Sequence, residues 1–254
     1  MPGPIQSIER AAAILRLLAR GSGRLGLGDV AASLDLPKGT THGILRTLQG
    51  VGFVEQDHTS GHYRLGAALL HLGTSYLDAN ELRSRAINWA DTLAARSGEA
   101  VRIGTPLDGS VLVVHHVFRP DDTPQILDVG SLLPMHATAL GKVLLAYDAE
   151  LAARIRRAEL TSLTRRTIVE PAALARVLGQ VRTAGWASEA EECMPGEASI
   201  AAPIRAPGGL VVAAIGISGP VDRICAPSST PAPELVRDVH DAARAVSRDL
   251  MTDG

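Results

Sequence analysis

The sequence predicts an α+β protein built from two domains. Its 254 residues, 46% of them hydrophobic, are enough for more than one core. Between residues 5 and 48, apolar residues recur at helical spacing in three segments, and two strand-like segments follow directly. Beyond residue 100, pairs of strands with tight turns are separated by helices. This order is typical of an antiparallel sheet and not of a parallel, dinucleotide-binding one.

Three helices are predicted to open the chain. The first runs to about residue 20 and is expected to bury a stripe formed by Ile5, Ile8, Ala12, Leu15 and Leu18. A second, short helix begins near Leu27, with Asp29 placed favourably for the helix dipole. A turn at Pro37 separates it from a third helix, which begins at about Lys38 and continues through Leu48. Two short helices joined by a tight turn have the spacing of a helix-turn-helix.

The third helix carries side chains suited to base edges and phosphates. The candidates for binding nucleic acid are Lys38, Gly39, Thr40, Thr41, His42, Arg46 and Thr47. No acidic residue lies between Pro37 and Gln49, as a surface that meets a polyanion requires. On these residues alone, a helical hairpin without any role in nucleic-acid binding stays open.

A β-hairpin is predicted directly behind the third helix. Residues 53–56 and 62–65 have strand composition, and the loop 57–61 between them is rich in turn formers. A hairpin in this position is the wing of a winged helix-turn-helix. Arg64, beside its tip, is a candidate for contact with the sugar-phosphate backbone. The combined order of elements favours double-stranded DNA as the partner.

Charge and cysteine content restrict the class of protein further. Residues 1–75 hold seven Lys and Arg against five Asp and Glu, and the remainder holds 18 against 22. Attraction to phosphate therefore depends on where the charges lie. Two cysteines are too few for a disulfide framework or a four-thiolate zinc site. The N-terminus lacks the pattern of a signal peptide, and no apolar run approaches the about 18–20 residues of a membrane span. We expect a cytoplasmic protein without a membrane partner.

The second domain is predicted from two hairpins and the helices around them. A linker helix, or else a further core helix of the first domain, is expected from residue 66 to residue 79. One hairpin pairs strands 101–105 and 111–117, and another pairs strands 199–204 and 210–218. Further helices are predicted over roughly 80–96, 138–147, 149–157, 171–184 and 236–250.

Catalysis and metal binding have no clear carrier in the sequence. His115 and His116 are adjacent on a predicted strand, so their side chains point to opposite faces and cannot share a metal ion. The acidic run from Glu189 to Cys193 is expected in a loop and lacks the histidine that a cysteine nucleophile needs. Residues 216–220 resemble a nucleophile elbow but end in proline. A small-molecule hydrolase and a protein-interaction adaptor, each with an accessory helix-turn-helix, stay open as alternatives.

These motifs together resemble the IclR family of bacterial transcription regulators over nearly the whole chain. The matching segments are 7–11 (SIERA), 38–48 (KGTTHGILRTL), 52–54 (GFV), 63–66 (YRLG), 136–146 (HATALGKVLLA), 200–204 (IAAPI) and 215–219 (IGISG). Segments 36–40, 114–122 and 243–250 are similar to the glycerol-operon regulators of actinomycetes within that family. One departure is Gly43, where many members have an arginine in the recognition helix.

The resemblance implies a winged helix-turn-helix over residues 1–65, a linker helix over 66–79 and a GAF-like effector domain over 80–254. It implies a homodimer or a dimer of dimers on a palindromic operator, with no cofactor. The implied effector is a small polar metabolite such as glycerol or glycerol 3-phosphate. Glu189 disfavours a strongly anionic effector unless its carboxyl group is protonated or paired, so a phosphate ester would need a cation that the sequence does not reveal. The implied effector-binding residues are Ala139, Leu140, Glu189, Ser199, Gly216 and Ser218.

Overall fold

A computed structural model describes residues 5–19, 23–69, 72, 81–121, 123–226 and 230–251. Its internal contacts divide the chain into two units, Met1–Ala79 and Asn80–Gly254. The linker helix predicted for residues 66–79 lies mostly outside the described residues, although residues 67–69 are helical. The predicted boundaries around this linker therefore stay predictions, and each unit is described by itself.

The N-terminal unit has the helix-turn-helix and the hairpin that the sequence predicts. Its elements are α1 (Gln6–Leu18), α2 (Leu27–Ser33), α3 (Lys38–Gly50), β1 (Val54–Gln56) and β2 (Tyr63–Leu65), and β1 pairs with β2 in antiparallel register. The Asp29 carboxylate accepts the Gly26 N–H at 3.1 Å at the start of α2. Pro37 precedes α3 as its N-cap, where its missing N–H costs no helical hydrogen bond.

The stripe predicted for α1 is partly wrong. Ile5 and Ile8 are 64% and 62% exposed, whereas Ile14 is fully buried. The reason is that α1 packs against α3 and β2 chiefly through its C-terminal half, where Ile14 and Leu18 join the core of the unit. The first turn extends beyond that contact.

The C-terminal unit is a sheet covered by helices. Its helices are α4 (Glu81–Ser97), α5 (Ala139–Tyr147), α6 (Ala149–Arg157), α7 (Pro171–Ala184), α8 (Val221–Ile224) and α9 (Pro233–Met251). Its strands are β3 (Ala100–Leu107), β4 (Ser110–Val117), β5 (Leu132–Pro134), β6 (Ala187–Ala190), β7 (Glu197–Arg205) and β8 (Val211–Pro220). In the described part of the unit they form a six-stranded antiparallel sheet in the order β5-β4-β3-β8-β7-β6.

Both predicted hairpins are present, but the two edge strands were not predicted. Glu189 consequently lies on β6 and not in the loop that the acidic run suggested. Helices α4 and α9 pack together, and α9 covers β7. Ala201 and Ala214 join the core cluster formed by α5 and α7. Since alternate strand residues point to opposite faces, Ile200 and Ile215 face the other way, so helices cover both sides of the sheet.

No described helix combines the length with the apolar character that crossing a membrane requires. Cys193 and Cys225 are both free thiols.

Candidate functional site

The outer face of α3 is polar and basic. Leu45 and Leu48 are buried beneath it. The candidate residues that lie exposed on it are Lys38, Gly39, His42, Arg46 and Thr47, and Thr40 is half-buried. The Thr47 hydroxyl donates to the Gly43 carbonyl of its own helix at 3.0 Å. Its hydrogen is therefore already used, and the oxygen can still accept a hydrogen bond. The exposed face therefore offers an ammonium, a guanidinium and an imidazole without a neighbouring carboxylate on the helix.

Thr41 is a correction to the predicted surface. Its side chain is fully buried, and its hydroxyl donates to the Pro37 carbonyl at 3.2 Å. Residues three and four apart share one face of a helix, and Thr41 lies on the buried face with Leu45 and Leu48. It stabilises the start of α3, and its side chain is not exposed for a contact with DNA.

Gly43 lies in the centre of the exposed face and contributes no side chain to it. A Cβ atom built there has no heavy atom within 4 Å outside its own helix turn. The absence of a side chain at this position is therefore not required by packing within the unit.

The tip of the hairpin is held by Asp57. Its carboxylate accepts hydrogen bonds from the N–H groups of Thr59 and Ser60 at 2.8 and 3.0 Å. These two bonds lower the pKa of Asp57, and the one from Ser60 has the larger effect. Arg64 is half exposed and donates to Glu55, its cross-strand neighbour, at 2.9 Å. The Ala67 N–H and then Arg64 lower the pKa of Glu55. A phosphate contact by Arg64 would thus compete with Glu55.

The C-terminal unit contains a cavity of about 420 Å³. All six residues that the resemblance implied line it: Ala139, Leu140, Glu189, Ser199, Gly216 and Ser218. They come from the start of α5 and from strands β6, β7 and β8. At Gly216, a Cβ atom would lie 2.5 Å from the Ile200 carbonyl oxygen, so the close approach of β7 to β8 requires glycine at this position.

Glu189 and Ser199 form a buried hydrogen-bonded pair in the cavity wall. The Ser199 hydroxyl donates to Glu189 Oε1 at 2.7 Å, and the Glu192 N–H donates to Glu189 Oε2 at 3.0 Å. Burial raises the pKa of Glu189, although both hydrogen bonds and the charge of Lys142 oppose that rise. A carboxyl group of this kind can accept from, or donate to, a ligand hydroxyl.

Lys142 is a buried cation that sequence reasoning missed. Its side chain is 1% exposed, and its ammonium donates to Glu192 at 2.5 Å and to the Ser188 carbonyl at 3.2 Å. It is not among the residues that line the cavity. Its place in an otherwise apolar helix segment was the available signal.

The cavity wall also contains the cations that could not be placed from the sequence, Arg102 and Arg119. Arg102 Nε donates to Asp128 Oδ2 at 2.6 Å, and Arg102 also donates to the Ser218 hydroxyl. Arg119 is paired with Asp121 at 2.6 Å. An arginine between Val101 and Ile103 on a strand was the signal for Arg102, because alternation places it on the face opposite those apolar neighbours.

His116 lines the same cavity, whereas His115 does not. Burial lowers the pKa of both imidazoles, so both are neutral near pH 7. Among the described residues, no group of His, Cys, Asp and Glu side chains has the arrangement of a metal site. Burial also raises the pKa of the Cys193 thiol in the cavity wall, which makes it a weak nucleophile.

Two family models together match most of the chain. Residues 7–58 match the IclR helix-turn-helix domain, and residues 74–248 match the bacterial transcriptional regulator IclR C-terminal domain.

Individual proteins are similar over nearly the full length. The glycerol operon regulatory protein of Streptomyces coelicolor is 56% identical over 246 residues, which cover 97% of this chain and 96% of that protein. The HTH-type transcriptional repressor AllR of Escherichia coli is 33% identical over 247 residues, covering 96% of this chain and 90% of that protein. The crystal structure of an IclR transcriptional regulator from Alicyclobacillus acidocaldarius superposes with a TM-score of 0.85 at 27% identity, covering 98% of this chain and 100% of that one.

Proposed function

The chain belongs to the IclR family of bacterial transcriptional regulators, and we propose that it represses a glycerol-type carbon-source operon. Sequence identity of 56% to a glycerol operon regulatory protein supports a glycerol-type operon as the target. Sequence identity of 33% to the repressor AllR supports repression rather than activation. The family consists of regulators and not of enzymes, and the weak nucleophile at Cys193 gives no support to a hydrolase.

The DNA-binding part of the proposal rests on one observation, the exposed and acid-free face of α3. Lys38, His42 and Arg46 point to solvent there, while the opposite face of the helix fills the core. We assign this face to the major groove and the hairpin tip to the backbone. The assembly we propose is a homodimer or a dimer of dimers on a palindromic operator in the cytoplasm, since symmetric half-sites suit symmetric proteins.

The effector part of the proposal rests on the cavity. Glu189 and Ser199 supply hydroxyl-binding groups, and Ala139 and Gly216 keep side-chain bulk small. We propose that these residues, with Leu140 and Ser218, bind a small polyol-like metabolite, with glycerol and glycerol 3-phosphate as the two candidates. The effector controls DNA binding only through its different affinity for the DNA-binding and the released arrangements.

A mobility-shift titration tests the function. The full chain is mixed with the DNA upstream of its own gene at increasing salt, with and without glycerol, glycerol 3-phosphate and an unrelated polyol. We expect retardation that weakens steeply with salt and that one of the two candidates relieves. Failure to retard the DNA at low salt would reject DNA binding, and retardation that neither candidate relieves would reject the effector.

A further inference from the structure

Residues 123–130 form one wall of the cavity and pack weakly in their middle. Pro124, Gln125, Ile126 and Asp128 line the cavity, yet Ile126 is 85% exposed and Leu127 is 58% exposed. Because so little apolar surface is buried in the middle of this wall, its hydrogen bonds and ion pairs determine where it stays.

Asp128 attaches this wall to two strands of the sheet, while Gln125 attaches its start to the backbone of Arg119, accepting from the Arg119 N–H at 2.7 Å and donating to the Arg119 carbonyl at 2.9 Å. The Asp128 carboxylate accepts from Arg102 on β3, and the Asp128 backbone N–H donates to His116 Nδ1 on β4 at 3.1 Å. The Gly130 N–H donates to the Val113 carbonyl at 2.8 Å immediately beyond it. Arg102 and His116 therefore hold one residue of the wall from two neighbouring strands.

The contact with Asp128 fixes the hydrogen position on His116. Since Nδ1 accepts a hydrogen bond, the neutral ring carries its hydrogen on Nε2. His116 is 8% exposed, and its Nε2 has no hydrogen-bond partner among the described residues. A buried donor without a partner is costly, and here it belongs to a residue that lines a cavity.

Arg102 and Arg119 differ in how firmly they are held. Arg119 is paired with Asp121 and donates to Thr123 at 2.7 Å, and the Glu99 carboxylate lies 3.8 Å away. Among the described residues, the carboxylate facing Arg102 is that of Asp128, which is carried by the weakly packed wall. Arg102 also donates to the Ser218 hydroxyl, so Asp128 is the charged partner that an anionic ligand has to displace from it.

We propose that Arg102 and His116 form an oxyanion subsite of the effector cavity, and that Asp128 occupies this subsite until a carboxylate or phosphate of the effector displaces it. The inference rests on the proposed function only in taking this cavity as the effector site. A carboxylate side chain and a ligand oxyanion make the same charge-assisted bonds to a guanidinium. Two anions at one guanidinium repel each other, so entry of the ligand releases Asp128 from Arg102. The wall then loosens between Gln125 and Gly130, whose own hydrogen bonds to Arg119 and Val113 stay in place.

The test is calorimetric titration of the full chain with glycerol, glycerate and glycerol 3-phosphate. In Asp128→Asn the competing charge is lost, so at least one of the two anions should bind about tenfold more tightly while the affinity for glycerol stays unchanged. In Arg102→Gln the same anion should lose about tenfold or more in affinity. Asp238→Asn is the matched control, because it removes a carboxylate paired with an arginine, Arg96, that does not line the cavity, and it should change the affinity for neither anion. A gain confined to glycerate or to glycerol 3-phosphate identifies the oxyanion that the subsite accepts.

A second measurement follows the wall itself. Hydrogen exchange of the residues between Gln125 and Gly130 should speed up both in Asp128→Asn and in the wild type saturated with the better anion. Unchanged exchange in both, or an Asp128→Asn variant with native tryptophan fluorescence that binds neither anion more tightly, would overturn the proposal.

The two proposals fail separately because no DNA enters these titrations. Anion binding with the expected variant pattern but without operator binding would reject the regulatory function and keep the subsite. Operator binding by a chain whose Asp128→Asn variant binds neither anion more tightly would keep the regulatory function and reject the subsite.

Discussion

The two units hold their functional side chains in opposite ways. In the N-terminal unit, the candidate DNA contacts Lys38, His42 and Arg46 lie outside the core and are exposed. In the C-terminal unit, Glu189 and Arg102 lie in a cavity wall and are bonded to other wall residues. Surface groups of the first kind can be removed one at a time with separable effects, whereas changes to the second kind propagate through shared hydrogen bonds.

Gly141→Ala should have the largest effect, a loss of stability in the C-terminal unit, where the wall residues depend on one another. A Cβ atom at Gly141 in α5 would lie 2.2 Å from the Met135 carbonyl oxygen, so backbone must shift at the cavity wall. We expect a loss of about 3 kcal/mol in the free energy of unfolding. Both tryptophans, Trp89 and Trp186, lie in the C-terminal unit, so urea unfolding followed by their fluorescence reports this unit. A loss below about 1 kcal/mol would show that the wall yields more easily than its geometry indicates.

Arg46→Ala is the corresponding change on the outer surface. Since a base contact by Arg46 is proposed, its loss should weaken operator binding by about 1–3 kcal/mol, which is about fivefold to 160-fold, without altering the unfolding midpoint. Fluorescence anisotropy with labelled operator measures the affinity. Arg176→Ala, an exposed arginine of the C-terminal unit, is the control and should bind normally. Equal affinities of the two variants would remove α3 from the interface.

Glu189→Gln tests the buried cavity wall through the pH dependence of stability. Burial raises the pKa of Glu189 above its ordinary value of 4.5, so the folded state holds this proton more tightly than the unfolded state. The stability from protonated Glu189 is present below pH 4.5 and is lost as pH rises through the raised pKa. The wild type should therefore lose stability relative to Glu189→Gln between acidic and neutral pH in urea titrations. A difference that stays constant with pH would contradict the raised pKa.

Gly43→Ala should have the smallest effect on the free energy of unfolding. It should stabilise the protein, whereas Gly141→Ala should destabilise it. The position is helical and open, so alanine should stabilise α3 by about 0.5–1 kcal/mol. Thermal unfolding followed by circular dichroism measures it. Destabilisation would mean that Gly43 has a structural role not visible in its surroundings.

Local patterns predicted the elements that depend on local chemistry. The start of α3 after Pro37 and the hairpin of β1 and β2 follow from spacing and turn residues, and both are present. Edge strands β5 and β6 escaped prediction because β5 contains Pro134 and β6, with the sequence ASEA, has no β-branched or aromatic residue, so neither has a distinctive strand pattern.

Side-chain burial was predicted less well because it depends on packing between elements. Thr41 has the composition of a surface residue and lies in the core, while Ile5 has the opposite mismatch. The pairing of Arg102 with Asp128 joins residues that are distant in sequence, and no local pattern contains it. The cavity residues named from the resemblance do line one cavity, but periodicity alone did not identify them.

The most direct test of the account is whether the two sites are coupled. Effector affinity is measured by calorimetry on the free chain and on the chain saturated with operator DNA. Because coupling between two binding sites is reciprocal, the operator should weaken effector binding by the same factor by which the effector weakens operator binding. Equal effector affinities in the two states would contradict a cavity that controls DNA binding.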